Sequence, residues 1–110
     1  MIMHDLEKQL LDIGAIDAAI ESLTIGDWFD RIEITFITRN NNITTCKFIN
    51  CFEVSLNHDK TYSKGKTEGG YLDYKYFIQD ISVSEEDYII FQISAWPLEG
   101  KIMCKKIEII

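Results

Sequence analysis

Three β-rich runs close the chain and constrain its fold more than any other feature. They cover residues 74–83, 88–96 and 101–110, and the short polar segments 84–87 and 97–100 separate them. Runs rich in Ile, Val, Phe and Tyr between such turns are typical of consecutive antiparallel strands. We therefore predict that the end of the chain forms a β-meander, and that the earlier segments pack against it.

A short helix is predicted over residues 4–13. Leu6, Leu10 and Ile13 lie at i, i+4 and i+7 on one stripe, and Gly14 is a typical residue after a helix end. Because an isolated helix of this length is marginal in water, the stripe is expected to lie against the sheet.

Residues 15–25 are ambiguous. Ile16, Ala19 and Leu23 fit a helical stripe, whereas Ala19, Leu23 and Ile25 also lie on one side of a strand. The residues alone leave both alternatives open.

Two strands are predicted next, over residues 31–38 and 43–56, joined by an Asn-rich hairpin turn. The second strand places Cys46, Phe48 and Phe52 on its inward face, and Asn50 interrupts that face. A polar residue at an inward position of so long a strand indicates a bulge or a bend.

The last strand changes its inward face along its length. Ile102 and Cys104 have one parity, while Ile107 and Ile109 have the other. A bulge at residues 105–106 would bring both pairs into the core.

Residues 1–110 are predicted to form a single α+β domain, with a short N-terminal helix packed on a twisted, mostly antiparallel sheet of about five to six strands. A chain of 110 residues can bury a core without metals or disulfides. Residues 57–73 are polar and glycine-rich, and we expect them to be a mobile loop.

No apolar run approaches the roughly 20 residues of a membrane span, and the N-terminus has no basic region followed by an apolar one. These features predict a cytoplasmic protein that does not bind membranes. The formal charge is −7, and residues 1–38 hold eight acids against Lys8 and Arg31. Such a surface repels phosphate, which argues against nucleic-acid binding, and attracts a basic protein. The alternative is that the acidity only keeps the protein soluble.

Chemistry-bearing residues are few. Cys46 and Cys51 are five residues apart, so on a regular strand they point to opposite faces, and no second cysteine pair exists. We therefore predict no metal site and no cofactor. His58 and Asp59 could serve as a base with an orienting acid, and Cys51 as a nucleophile, but adjacent residues on extended backbone diverge. Enzyme motifs are absent, so we predict a protein without enzymatic activity.

An acidic surface with nearby aromatic anchors is the predicted partner-binding site. The alternative is that the two tryptophans pack over the sheet and its turns. The predicted contact residues are Asp17, Glu21, Asp27, Trp28, Asp30, Glu33 and Trp96.

Three stretches together carry a family resemblance: residues 48–59, 74–83 and 93–104, with residues 16–20 and Asp27-Trp28 ahead of them. In them the chain resembles the YxiG-like proteins of bacteria, small domains often linked with polymorphic-toxin loci. More loosely, it is similar to small immunity-protein domains built on a twisted antiparallel sheet. The resemblance implies a strand rather than a helix over residues 17–25.

The function implied by this resemblance is neutralisation of a cognate bacterial toxin. The protein would bind a basic toxin domain in the cytosol and block its active site or substrate groove. Electrostatic steering would speed that association and make it depend on salt. The alternative is a small-molecule-binding protein or an enzyme that uses the 57–73 loop. We expect a monomer or a weak homodimer that pairs through a sheet edge.

Overall fold

The computed structural model describes residues 4–60 and 76–110, which form a helix and an open antiparallel sheet. The helix α1 spans Asp5–Asp12. The strands are β1 (Ala19–Gly26), β2 (Arg31–Ile37), β3 (Ile43–His58), β4 (Asp80–Glu85), β5 (Ile89–Ala95) and β6 (Leu98–Ile109). This architecture confirms the predicted α+β fold with a short N-terminal helix.

The six strands of the described chain form one sheet in the order β1-β2-β3-β6-β5-β4, and every neighbouring pair is antiparallel. β3 and β6 are long and pair over almost their whole length. On β3, β2 pairs with the first part of the strand alone. In the same way, β5 pairs with the first part of β6 alone. The sheet therefore has two halves that share the central β3–β6 ladder. The first half contains β1 and β2, and the second half contains β4 and β5.

The two long strands change their inward face where the halves meet. Asn50 has φ of +57°, a left-handed conformation that Asn adopts more readily than most residues. Phe48 is buried on one side of it and Cys51 on the other. The bend predicted at Asn50 is thus present.

The same change of face corrects two predictions about β3. Cys46 and Cys51 do not point to opposite faces, because both are buried in the core. Phe52 was expected inside, but it is 52% exposed and packs edge-on against Tyr88. The reason is the same in both cases: a regular alternation does not continue through a left-handed residue.

The predicted change of face in β6 is present, but the predicted bulge at residues 105–106 is not. Pairing with β3 stays in register there, and the register shifts between Cys51 and Glu53 of β3 instead. Lys105 and Lys106 are exposed, whereas Ile102, Cys104 and Ile107 are buried. Ile109 is partly buried against the same core.

The core lies on the inner faces of both halves. Phe48 of β3 contacts Phe91 of β5, with ring centroids 4.8 Å apart and planes at 60°. Edge-to-face aromatic pairs of this kind add to the stabilisation from burial. The two halves are therefore folded over a common apolar centre.

Helix α1 covers the edge strand β4. Leu10 is fully buried, and Leu6 and Ile13 pack against the core, as the apolar stripe predicts. His4 begins the helix, since its Nδ1 accepts a hydrogen bond from the backbone N–H of Leu6 at 3.1 Å. The Glu7 carboxylate accepts a hydrogen bond from the Val83 N–H of β4 at 2.7 Å. An edge donor that would otherwise face solvent is satisfied in this way.

Residues 15–25 contain a strand, as the family resemblance implies, because β1 occupies Ala19–Gly26. Its beginning is joined to the segment before β4. The Ile78 N–H donates to the Ala18 carbonyl at 2.9 Å, and the Ile20 N–H donates to the Tyr76 carbonyl at 2.8 Å. These bonds link the two edges of the sheet at one end.

Other expected boundaries differ from those observed. The run at 74–83 was predicted as one strand, but β4 begins only at Asp80, and residues 74–75 lie outside the described residues. The turn predicted at 97–100 is shorter, because Ala95 pairs with Leu98 around the turn Trp96-Pro97. Of the polar loop predicted at 57–73, residues 57–58 end β3, and 61–73 lie outside the described residues. Within 4–60 and 76–110, no helix is long and apolar enough to cross a membrane.

Candidate partner-binding site

The turn between β1 and β2 presents a tryptophan to solvent. Asp27, Trp28 and Phe29 all have positive φ, at 52°, 56° and 72°. Trp28 is 99% exposed, so its indole makes almost no contact with the protein. The alternative that Trp28 packs over the sheet is therefore wrong.

This turn is held in place by its neighbours. The Asp30 N–H donates to the Asp27 carbonyl at 3.1 Å, and the Asn50 N–H donates to the Asp30 carbonyl at 3.1 Å. A left-handed backbone costs an L-residue about 1–2 kcal/mol, so three such residues in succession form a strained segment. Strain of this kind persists only where the surrounding structure enforces it, and it is enriched at functional sites.

The acidic residues predicted to contact a partner lie among cations from neighbouring elements. Asp27 Oδ2 lies 3.9 Å from Arg31 Nε, and Glu33 Oε1 lies 4.0 Å from Lys47 Nζ. Asp17 Oδ2 lies 3.4 Å from a terminal guanidinium nitrogen of Arg39. The pairs of Asp27 and Asp17 are largely exposed, and the Glu33–Lys47 pair is about 30% exposed at a spacing of 4.0 Å, so each contributes little to stability. The three cations make the electrostatic potential at this surface less negative than a count of its acidic residues suggests.

The predicted contact residues do not form one patch. Asp27, Trp28 and Asp30 meet at the β1–β2 turn, and Glu33 follows on the outer face of β2. Asp17 precedes the opposite end of β1, and Glu21 lies in that strand beside its irregular pairing. These two ends are separated by the length of the strand, roughly 23 Å at 3.3 Å per residue.

Trp96 lies still farther away, in the turn between β5 and β6. It is 53% exposed and precedes the buried Pro97. The Trp96 turn lies beside His58 at the end of β3, because His58 pairs with Leu98. The Trp28 turn lies beside Ile49, which pairs with Arg31. His58 and Ile49 are nine residues apart on β3, or roughly 30 Å of extended strand. One compact interface centred on Trp28 therefore does not include Trp96.

Among the described residues of the alternative enzyme site, Cys51 lies far from His58. His58 Nδ1 is 3.0 Å from the backbone carbonyl of Asp59, and its Nε2 is 2.5 Å from the Tyr76 hydroxyl. Cys51 lies seven residues back along β3, roughly 23 Å away if extended, and pairs with Cys104. A nucleophile and its base must lie within hydrogen-bond reach.

Burial raises the pKa of each cysteine thiol. The pKa values of Cys46 and Cys104 rise to about 12, and that of Cys51 is raised as well. Such thiols stay protonated at neutral pH and are poor nucleophiles. In the part of the chain that the structure describes, no three His, Cys, Asp or Glu side chains come together as metal ligands do.

The structure has a polar groove on the outer face of the second half, which the predicted site did not include. We call it the β3–β6–β5–β4 groove, and its volume is about 360 Å³. Two rows of side chains cross it. The rows are Asp80–Ser94–Glu99–Asn57 and Ser82–Gln92–Lys101–Ser55. The alternation of short polar residues with buried ones in β4 and β5 was visible in the sequence, but the order of the strands was not.

Comparisons with known proteins give both a family and a fold. A crystal structure of an uncharacterized protein from Neisseria gonorrhoeae is similar, with a TM-score of 0.65 and 14% sequence identity. The match covers 86% of this chain and 90% of that chain, and at this identity it shows a shared fold. Among curated proteins no match was found.

The family model described as "Immunity protein PIM7" matches residues 2–110, nearly the whole chain. The predicted resemblance to an immunity protein is thereby confirmed, while the more specific resemblance to YxiG-like proteins stays a prediction. This chain belongs to the immunity protein PIM7 family.

Proposed function

We propose that this protein binds a cognate toxin domain in the cytoplasm and neutralises it by covering the toxin's active site or substrate groove. The observation that carries the proposal is the family match over residues 2–110. In this reading the protein acts by binding alone, as a monomer or weak homodimer, and performs no reaction itself. The separation of Cys51 from His58 supports the latter point, and no observation favours the alternative enzyme or small-molecule site.

The β1–β2 turn is the proposed centre of the contact surface. Tryptophan is enriched among residues that dominate binding energies, because a large rigid side chain fills a pocket at low entropic cost. Trp28 is available for this without any rearrangement, since it is 99% exposed. Phe29, 49% exposed, adds apolar surface beside it.

Negative charge at the same turn favours a basic partner. Asp27 and Asp30 flank Trp28, and the chain as a whole carries a formal charge of −7. Long-range attraction of this kind raises the association rate and weakens with salt. Glu33 and Glu21 extend the proposed surface along the β1–β2 pair and Asp17 lies at its far end, whereas Trp96 is outside it.

The test is the affinity for the toxin domain encoded beside this protein, measured by calorimetry at low and high salt. Trp28→Ala should weaken binding at least about 30-fold, as expected for loss of a hot spot of about 2 kcal/mol. Phe77→Ala is the matched control, because Phe77 is a 53% exposed aromatic at the opposite end of β1. It should leave the affinity unchanged.

The charge contribution is tested separately. Asp27→Asn with Asp30→Asn should lower the association rate and reduce its dependence on salt. The matched control is Glu86→Gln with Asp87→Asn, which removes two exposed acids from the β4–β5 turn. Absence of a complex between the wild-type protein and the toxin domain at low salt would refute the proposed function.

A further inference from the structure

We propose that the β3–β6–β5–β4 groove is a second contact site that receives an arginine side chain from the protein partner. The identity of that partner rests on the proposed function, but the groove itself does not. It lies on the outer face of the second half, whereas the β1–β2 turn belongs to the first half. A partner that contacts both would span the β3–β6 ladder.

The first row of the groove matches the shape of a guanidinium group. Ser94 of β5 pairs with Asp80 of β4 on one side and with Glu99 of β6 on the other. At strand spacings of about 4.8 Å, the Cα atoms of Asp80 and Glu99 are about 10 Å apart. Ser94 between them is short, so a planar group above it lies between two carboxylates. Arginine offers five donors in a rigid fork suited to carboxylate oxygens.

The carboxylates of this row differ from those on the same sheet that are held in ion pairs. Glu33, Glu85 and Glu108 each lie within 4.0 Å of a basic or histidine side chain. Over the described ranges 4–60 and 76–110, no such ion pair involves Asp80 or Glu99. Two carboxylates without an ion-pair partner within 4.0 Å among the described residues therefore line this row, and the basic residue of the groove lining, Lys101, belongs to the neighbouring row.

The second row limits where a cation lies. Lys101 is adjacent to Gln92 and Ser55, and its ammonium repels a guanidinium placed over that row. The cation is therefore held above Ser94, away from Lys101. The Ser82 hydroxyl donates to Gln92 Oε1 at 3.2 Å, so these two side chains are already engaged with each other.

Other occupants fit less well. Phosphate and nucleic acid are repelled by the carboxylates. A divalent cation such as Ca²⁺ takes roughly six to eight oxygen ligands, usually with several carboxylates among them, and among the described residues only two carboxylates line this groove. Among the described side chains that line the groove only Ile93 is a large apolar group, whereas most small-molecule pockets are lined mainly by apolar and aromatic side chains. An arginine on a protein loop satisfies both charge and shape.

The first experiment uses an arginine peptide as the probe. Acetyl-Gly-Arg-Gly-amide is titrated into the ¹⁵N-labelled protein and followed by NMR. We expect saturable shifts confined to the groove strands, and much smaller shifts with the citrulline peptide, the neutral isostere. Asp80→Asn with Glu99→Gln should weaken peptide binding at least tenfold, while Glu86→Gln with Asp87→Asn should not. Equal shifts with citrulline, or an unaffected double variant, would overturn the inference.

The second experiment separates this inference from the proposed function. The toxin domain is titrated into the wild type and into the Asp80→Asn, Glu99→Gln variant. Tenfold weaker binding by the variant supports the groove as a contact site. Equal binding by both refutes the groove as part of the interface and leaves the proposed function intact. If the toxin domain does not bind at all but the arginine peptide does, the proposed function fails and the groove stands as an arginine site.

Discussion

Replacing Trp28 with glycine should stabilise the folded protein, although it removes the largest side chain of the turn. The indole is 99% exposed, so its removal sacrifices almost no buried surface. The backbone φ of Trp28 is +56°, a conformation that glycine adopts without a steric penalty. The change therefore separates the cost of the backbone from the contribution of the side chain.

The expected magnitude follows from two opposing terms. A left-handed conformation costs an L-residue about 1–2 kcal/mol, and glycine avoids this cost. Glycine loses about 0.5–1 kcal/mol more conformational entropy on folding than alanine does. The net change in the free energy of unfolding is about +0.5 kcal/mol, which corresponds to a rise in Tm of about 2–3 °C for a domain of this size.

Urea denaturation and thermal melting of three variants provide the assay. Trp28→Gly should be the most stable, Trp28→Asn intermediate because asparagine tolerates this conformation, and Trp28→Ala close to the wild type. A loss of more than about 1 kcal/mol in Trp28→Gly would show that the indole packs against the protein in solution. Equal stability of the glycine and alanine variants would show that the residue is not left-handed. A more stable variant that no longer binds the toxin would identify a strained binding residue.

Three further predictions concern the rest of the fold. Glu7→Ala should destabilise the protein by about 1–2 kcal/mol in urea denaturation, because the Val83 N–H loses a charge-assisted hydrogen bond, and Glu7→Gln should cost less because it keeps an acceptor. Phe48→Ala should cost about 3–5 kcal/mol, since Phe48 is fully buried against Phe91, whereas Phe48→Leu should cost clearly less. Stability should fall as pH rises above 9, since the Cys46 thiol ionises near 9 when unfolded but near 12 when folded. The stability lost by Cys46→Ala should therefore shrink by about 1.4 kcal/mol per pH unit between these values, and a constant difference from pH 8 to 11 would contradict the raised pKa.

The helix and most strands were predictable because their signals are local. The stripe of Leu6, Leu10 and Ile13 requires only helical periodicity, and the alternation in residues 31–38 requires only that a strand has two faces. The strand at residues 19–26 was different. Its pattern fitted both a helix and a strand, and it became a strand because it pairs with β2 and with the segment before β4.

The functional surface was only partly predictable. The sequence placed Asp27, Trp28 and Asp30 together, since they are neighbours in one turn, but it could not show that Trp28 points away from the protein. It also grouped Trp96 with them, although that residue lies at the far end of the β3–β6 ladder. The cations beside Asp17 and Glu33 come from other elements, so the acidity of the surface was overestimated.

The sequence by itself determined a small acidic α+β chain with a meander at its end, because propensity, periodicity and charge are properties of neighbouring residues. Only the tertiary structure decided which face Cys51 and Phe52 occupy, since that depends on one left-handed residue at Asn50. It also assembled the row of Asp80, Ser94 and Glu99 from three strands. Strand order and register depend on contacts between distant segments, and no local pattern encodes them.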